Sequence, residues 1–165
     1  MRAALCKSLN GPEGIVVEDL PAPVPGPGEV RIRVKAAALN FLDTLITRGK
    51  YQYKPELPFS PGAEVAGEVD AVGEGVESLS AGQRVCAYLG WGGAREMVIA
   101  RAAHVVPLPD GVSDVDAAGV NVTYGTAMHG LKERAHLKAG ETVAVLGAAG
   151  GAGLAAVEVA KRLGA

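Results

Sequence analysis

Two shortages limit what this chain can be: it has only two cysteines and no long apolar run. Cys6 and Cys86 cannot supply a disulfide framework or a four-cysteine zinc site. The most apolar stretches, such as residues 142–146, are far shorter than the roughly 20 residues that span a bilayer. The amino terminus also lacks the apolar run of a secretion signal. A cytoplasmic location with no membrane partner is therefore expected.

Basic segments are missing as well, because no run rich in Lys or Arg occurs and the net charge is -2. Such a chain has no positive surface to hold a phosphate backbone, so nucleic acid is not an expected partner. The 165 residues, 48% of them hydrophobic, are enough for one core and the start of a second.

The first two thirds of the chain read as β-structure. Gly and Pro are frequent here and separate short β-branched runs, a pattern typical of a barrel or sandwich of short strands. A short helix is predicted at residues 40–48, where apolar side chains recur on one helical face before Gly49. The predicted strands are residues 2–6, 15–18, 29–38, 64–72, 84–87, 94–99 and 104–107.

After Pro109 the pattern changes to alternating helix and strand. Ser113 is a plausible N-cap, and residues 123–134 are rich in helix formers. Residues 142–146 (TVAVL) predict a fully buried strand, and residues 154–163 predict the helix that follows it. A parallel sheet needs more than one strand, so this βα unit is expected to require further chain. Residues 1–165 alone are therefore expected to bind a cofactor weakly or not at all.

Between that strand and helix lies GAAGGAG, residues 147–153. Aligned on the dinucleotide fingerprint G-x-G-x-x-G, it has Ala148, Gly150 and Gly153, so alanine replaces the first glycine. Gly150 would allow close approach to a pyrophosphate, and the helix that begins near Gly151 would direct its positive end at the charge. A tight turn that binds nothing is the alternative.

Four segments in order carry a resemblance to a known family: ALNFLDTLITRGKY (38–51), PGAEVAGEV (61–69), NVTYGTAMHGL (121–131) and VLGAAGGAGLAAVEVAKRLGA (145–165). Over its whole length the chain resembles the medium-chain dehydrogenase/reductase superfamily and, within it, the zinc-independent quinone oxidoreductases. The resemblance implies a fold between α+β and α/β. A GroES-like β-barrel catalytic domain (1–120) would be followed by the first βα unit of a Rossmann, doubly wound NAD(P)-binding domain (121–165).

The resemblance also predicts that no zinc is bound. In the zinc alcohol dehydrogenases of this superfamily, a cysteine ligand lies where Asn40 stands and a histidine ligand lies where Ala63 stands. A catalytic zinc needs about three protein ligands, so losing two leaves no site. His104, His129 and His136 lack ligand spacing and are expected in ordinary roles, while Cys6 and Cys86 are expected to be small buried hydrophobes.

Candidate site residues follow from the resemblance. Catalytic roles are expected for Tyr51 and Asn40, with the Tyr51 hydroxyl near the substrate. The expected cofactor-binding residues are Asn40, Asp43, Thr126, Gly150, Gly151, Ala152 and Gly153. Plainer roles remain open for several of them: a helix cap for Asn40, a first-turn acid for Asp43, a loop aromatic for Tyr51 and a helix-surface residue for Thr126.

The function implied is an NAD(P)H:quinone oxidoreductase-like enzyme that uses NADPH or NADH to reduce a quinone or enone, a homodimer at full length. One alternative is an enoyl-thioester or alkenal reductase of the same superfamily. Another is a GroES-like scaffold or interaction domain without catalysis, although such a scaffold would not need the glycine loop.

Overall fold

A computed structural model describes residues 1–165, which form two compact units, Met1–Ala118 and Gly119–Ala165. The first unit holds every strand. The seven strands predicted for this part of the chain are confirmed, although β6 begins and ends later than expected. They are β1 (Arg2–Cys6), β2 (Ile15–Asp19), β3 (Glu29–Ala38), β4 (Glu64–Val72), β5 (Arg84–Tyr88), β6 (Met97–Arg101) and β7 (Val105–Pro107).

These strands form two sheets. β1 and β2 pair as an antiparallel two-stranded sheet. The other five strands form an antiparallel sheet in the order β6-β3-β4-β5-β7. Neither sheet is closed. The first unit therefore has the strands of the expected barrel, but they do not form a continuous hydrogen-bonded ring. The predicted mixed class of helix and strand is confirmed.

The five-stranded sheet is stabilised by a row of apolar side chains on one face. In β3 the sequence alternates, so that Val30 and Ile32 are fully buried while Arg31 lies on the other face and pairs with Asp70 of β4. The buried cluster around them consists of Val30, Ile32, Val65, Val69, Leu79, Val85, Ala87, Val98, Ala100 and Val105.

Gly67 brings β4 unusually close to β3. A Cβ at this position would lie 2.0 Å from the main-chain oxygen of Arg33, closer than any real contact. The β3–β4 register shifts next to this point, between Val34 and Ala36. A glycine inside a strand often marks such an irregularity, and here it allows the close approach of the strand that carries Glu64.

Two short helices complete the first unit, α1 (Phe41–Ile46) and α2 (Asp114–Ala118). The Asp116 N–H donates to Ser113 Oγ at 3.1 Å, so the predicted N-cap is confirmed. Ala117 and Ala118 of α2 pack on the sheet. Two 3₁₀ turns, Gly11–Gly14 and Ala102–His104, were not predicted.

The second unit is helical. α3 (Val120–Met128) continues into a π-helical turn (His129–Arg134), and α4 (Gly151–Arg162) packs against it through Ala127, Ala155 and Val159. The helices predicted at 123–134 and 154–163 are therefore confirmed, each with an earlier start.

The buried strand predicted at residues 142–146 is wrong. These residues pair with no strand, and the Leu146 side chain is 97% exposed. An extended segment becomes a β-strand only when a neighbour satisfies its backbone N–H and C=O groups, and the second unit contains no other strand. The apolar pattern is that of a buried strand, but the partner it requires is not in residues Gly119–Ala165.

Candidate functional site

Asn40 and Asp43 lie together where β3 leads into α1. Asn40 is the N-cap residue, and its main-chain N–H donates to Asp43 Oδ2 at 2.7 Å. The other Asp43 oxygen accepts the Gly62 N–H, also at 2.7 Å. Asp43 is buried, so its carboxylate joins the start of α1 to the chain just before β4. The cap position for Asn40 and the first-turn position for Asp43 are thus both observed.

The side-chain amide of Asn40 is used elsewhere. Its Nδ2 donates to Glu64 Oε1 at 3.0 Å, and Glu64 at the start of β4 is fully buried. Opposite Glu64 in β5 is Tyr88. An acidic side chain without exposed surface is rare unless it is paired or hydrogen-bonded, so this contact compensates part of the cost of burying the carboxyl group.

Three of the four tyrosines surround this point. The rings of Tyr51 and Tyr53 are 5.9 Å apart between centroids, tilted by 60°. Burial raises the pKa of Tyr88, and the nearby Tyr51, Tyr53 and Glu64 raise it further. Tyr51 is half-buried and packs against the small cluster of Cys6, Ile46 and Phe59, as a loop aromatic would. Asn40, Glu64 and the three phenols form one polar and aromatic group on the first unit.

The glycine loop of the second unit is shaped by close backbone contacts. Gly147 has a positive φ of 74°, and the Gly150 N–H donates to Gly147 O at 3.1 Å. A Cβ at Gly153 would lie 2.2 Å from Gly147 O, so only glycine fits this position. Gly150 is the N-cap of α4, and the first intrahelical bond runs from the Leu154 N–H to Gly150 O at 2.8 Å.

This loop fits a phosphate group. The N–H groups of Gly151, Ala152 and Gly153 precede the first intrahelical bond of α4 and have no carbonyl partner in the chain. Such N–H groups at the positive end of a helix dipole hold anions in dinucleotide-binding loops. A Cβ at Gly150 would meet nothing closer than 3.5 Å, so glycine is not required there by the loop itself.

Thr126 lies on α3 in the second unit and its side chain is exposed. The predicted site residues therefore form two groups. Asn40, Asp43 and Tyr51 lie in the first unit, whereas Thr126 and the glycine loop 150–153 lie in the second. Their roles toward cofactor and substrate stay predictions.

The cysteines and histidines form no metal site with these groups, although Cys6 belongs to the cluster against which Tyr51 packs. Cys6 and Cys86 are buried free thiols, as predicted, and burial raises the pKa of Cys6. His129 pairs with Glu133 one turn later on an exposed surface. No group of three His, Cys, Asp or Glu side chains that could hold a metal ion is present, and no helix is both long and apolar enough to span a bilayer.

A family model described as the alcohol dehydrogenase GroES-like domain matches residues 26–110, just over half of the chain. The chain belongs to the medium-chain dehydrogenase/reductase superfamily and contains its GroES-like domain. The predicted family is thus confirmed, and with it the fold class of this superfamily.

Curated relatives carry oxidoreductase names. A quinone oxidoreductase-like protein 2 homolog from Nematostella vectensis is 46% identical over 162 residues, which are 96% of this chain and 44% of the relative. A quinone oxidoreductase from Pongo abelii is 37% identical, over 99% of this chain and 50% of the relative. The chain thus spans about half the length of these relatives. They support an oxidoreductase of this superfamily.

A solved structure leads to the same family. The quinone oxidoreductase from Thermus thermophilus, determined alone and with NADPH, superimposes with a TM-score of 0.86 at 39% identity. The match covers 99% of this chain and 51% of that one. It supports a nicotinamide cofactor for the family.

Sequence reasoning missed the part that Glu64, Tyr53 and Tyr88 play in the first group. A signal for Glu64 was present, because its carboxyl interrupts the apolar start of the β4 segment, between Ala63 and Val65. Nothing in the sequence indicated that Tyr88 would lie near Tyr51, since the two are 37 positions apart and only the β4–β5 pairing brings their segments together.

Proposed function

We propose that this chain forms the substrate side and the first part of the cofactor site of an NAD(P)H-dependent oxidoreductase. The full-length protein would transfer hydride to a quinone or another conjugated carbonyl without zinc. NADPH is the favoured cofactor, with NADH as the alternative, because the similar Thermus thermophilus enzyme was solved with NADPH.

The observation that carries the proposal is the glycine loop before α4. Three unpartnered N–H groups at a helix start, together with a Gly153 that has no room for a side chain, are what a bound pyrophosphate requires. Gly153 alone would fit a tight turn as well, so the proposal depends on the three N–H groups and on the similarity to the NADPH-bound relative.

The reaction is a two-electron reduction. When bound, the reduced nicotinamide supplies a hydride to the conjugated acceptor, which takes one proton from solvent and becomes the hydroquinone or the saturated carbonyl compound. A conjugated acceptor is already activated, so a neutral hydrogen-bond donor at its oxygen can stabilise the negative charge that develops there. A Lewis-acidic metal is not needed for that purpose.

Residue roles follow from the two groups. In this proposal the Tyr51 hydroxyl donates to the acceptor oxygen, and Asn40 holds the nicotinamide end. Asp43 keeps Asn40 in place by accepting the main-chain N–H of Asn40. Thr126 contacts the nicotinamide side of the cofactor, and the N–H groups of residues 151–153 bind its phosphates.

The absence of zinc from this proposal rests on side chains. Asn40 and Ala63 stand where the zinc enzymes of the superfamily have cysteine and histidine. An amide and a methyl group are not zinc ligands of the usual kind. Glu64, the neighbour of Ala63, hydrogen-bonds Asn40 instead of supporting a metal.

A glycine substitution tests the phosphate loop. Gly150→Ala has room for its Cβ and an ordinary φ of -81°, so the thermal midpoint Tm should stay unchanged. Its methyl group would occupy the space that a pyrophosphate needs, and we expect the NADPH Kd of the full-length protein to rise about tenfold or more. Fluorescence titration with NADPH measures this change.

Gly130→Ala is the matched control, since a Cβ at this helical position would meet nothing within 4 Å. It should leave both Kd and Tm unchanged. If Gly150→Ala also leaves the NADPH Kd unchanged, the loop is a turn and the proposed cofactor site is wrong.

Removing one hydroxyl tests the acceptor site. Tyr51→Phe in the full-length protein should lower kcat/KM about tenfold or more for quinones while leaving the NADPH Kd unchanged, because only the developing oxyanion loses a donor. NADPH oxidation with a panel of quinones, enones and enoyl thioesters measures the effect and identifies the preferred acceptor.

Tyr124→Phe is the control for that assay, because it removes the same group from a half-buried tyrosine of the second unit whose hydroxyl bonds Glu158. Its kcat/KM values should equal those of the wild type. Unchanged kcat/KM of Tyr51→Phe for every acceptor would overturn the proposed role of Tyr51.

A further inference from the structure

Glu64 is the one fully buried acidic side chain of the first unit, and its neighbours along the chain are apolar. Ala63, Val65 and Ala66 are all completely buried beside it. Moving a carboxyl group out of water is unfavourable unless hydrogen bonds compensate it, and an apolar residue would be less costly at such a position. Glu64 therefore needs an explanation that stability does not give.

The contact between Glu64 and Asn40 is fixed by the strand pairing of Glu64 and by the bonds that hold Asn40 at the start of α1. Glu64 faces Ala38 in the β3–β4 register, and Asn40 follows two residues after Ala38. The main chain of Asn40 is fixed by Asp43, while its side-chain Nδ2 donates to Glu64 Oε1 at 3.0 Å. The backbone and the amide of Asn40 are thus held by two different carboxyl groups.

The contact with Glu64 sets the direction in which the Asn40 side-chain amide points. An asparagine amide has a donor end and an acceptor end, and it can be turned over by rotation about one bond. A carboxylate oxygen only accepts, so the contact with Glu64 turns the NH₂ end of Asn40 toward β4. The carbonyl end faces the Asp43 N–H at the start of α1, in a capping box. An amide oxygen has two lone pairs, so it can also accept a hydrogen bond from a bound donor such as the carboxamide N–H of a nicotinamide.

We propose that Glu64 is a positioning residue that sets the direction of the Asn40 amide, so that its carbonyl end faces the bound nicotinamide. This inference rests on the proposed function, in which Asn40 holds the nicotinamide end. In this inference Glu64 acts on the cofactor through Asn40, without needing to touch cofactor or substrate itself.

A polarity exchange tests the proposal in the full-length protein. Asn40→Asp alone places two carboxyl groups against each other and should raise the NADPH Kd about tenfold or more. Adding Glu64→Gln restores the contact with reversed polarity, because the glutamine NH₂ can donate to the aspartate while the other aspartate oxygen still accepts from the ligand. The double variant should regain a Kd within about threefold of the wild type.

Glu64→Leu removes the acceptor altogether, and Ser60→Ala is its control. Ser60 is equally buried, and its hydroxyl accepts from Arg95 Nε at 2.8 Å rather than contacting the Asn40 amide. Both single variants are expected to lower Tm. Only Glu64→Leu should also raise the NADPH Kd, by about tenfold. This rise is measured for the folded fraction of the protein, so that loss of folded protein does not explain it.

Two outcomes overturn the inference, and they differ in what they say about the proposed function. If Asn40→Ala weakens NADPH binding while Glu64→Leu and the exchange pair behave like Ser60→Ala, Asn40 binds the cofactor without help from Glu64. If Asn40→Ala also leaves the NADPH Kd unchanged, the proposed role of Asn40 fails first. Recovery in the Asn40→Asp, Glu64→Gln double variant supports the positioning role.

Discussion

At the scale of single residues, Asp43 shows how a predicted functional residue can have a structural task. Its carboxylate accepts two main-chain N–H groups, one from Asn40 and one from the buried Gly62. Those bonds close the loop between α1 and β4 around the residue that would meet the cofactor. A role in positioning Asn40 is compatible with the proposed function and needs no direct contact of Asp43 with a ligand.

Asp43→Ala should therefore reduce stability strongly. Two N–H groups would lose their acceptor, and the free energy of unfolding should fall by about 2–3 kcal/mol. Asp110→Ala is a suitable control, because Asp110 is exposed in the loop after β7 and should change the value by less than about 0.5 kcal/mol. Urea unfolding followed by circular dichroism measures both, and equal midpoints for the two variants would contradict the role given to Asp43.

At the scale of the element, the pairing of β3 with β4 depends on charges on the outer face of the sheet. Asp70 of β4 accepts from Arg31 Nε at 2.7 Å and also pairs with Arg33. These hydrogen bonds, the one from Arg31 above all, hold the pKa of Asp70 below its usual value. Three side chains from neighbouring strands are linked, so this contact supports the register that places Glu64 beside Asn40.

This pKa predicts how stability depends on pH. A carboxyl whose folded-state pKa is lowered stabilises the fold above its unfolded pKa of about 3.9, and the stabilisation is lost as pH falls through the folded pKa. Asp70→Asn should thus lower the free energy of unfolding at pH 7, by up to about 1 kcal/mol, with a smaller difference from wild type at pH 3.

Thermal unfolding of both proteins between pH 3 and pH 7 tests this expectation. Glu68→Gln serves as the control on the same strand, since its 3.8 Å pair with Lys35 is exposed and should contribute little. A difference between Asp70→Asn and wild type that stays constant across this pH range would argue against the proposed origin of the stabilisation.

The elements themselves were mostly readable from sequence. β1, β3 and β4 lie where the alternation and the turn residues place them, because local backbone preferences decide such strands. The strand predicted at 142–146 was not observed, since a strand also needs a neighbour that local pattern cannot supply. Gly67 shows the same limit, because its close approach to the main chain of Arg33 appears only once β4 is paired with β3.

At the scale of the whole molecule, the chain is two compact units that share the features of one enzyme family, and it spans about half the length of its curated relatives. The NADPH preference, the homodimer, the cytoplasmic location and weak cofactor binding by residues 1–165 alone therefore stay predictions. So do the domain roles given to residues 1–120 and 121–165.

The sequence by itself determined the family, the order of the elements in the first unit and the glycine loop, because each depends on residues close together in the chain. Asn40 and Ala63 in place of metal ligands were also readable there. Only the tertiary structure decided that Glu64 contacts the Asn40 amide and that Tyr88 lies near Tyr51. These pairs of residues are 24 and 37 positions apart, and they come near each other because β4 pairs with β3 on one side and with β5 on the other.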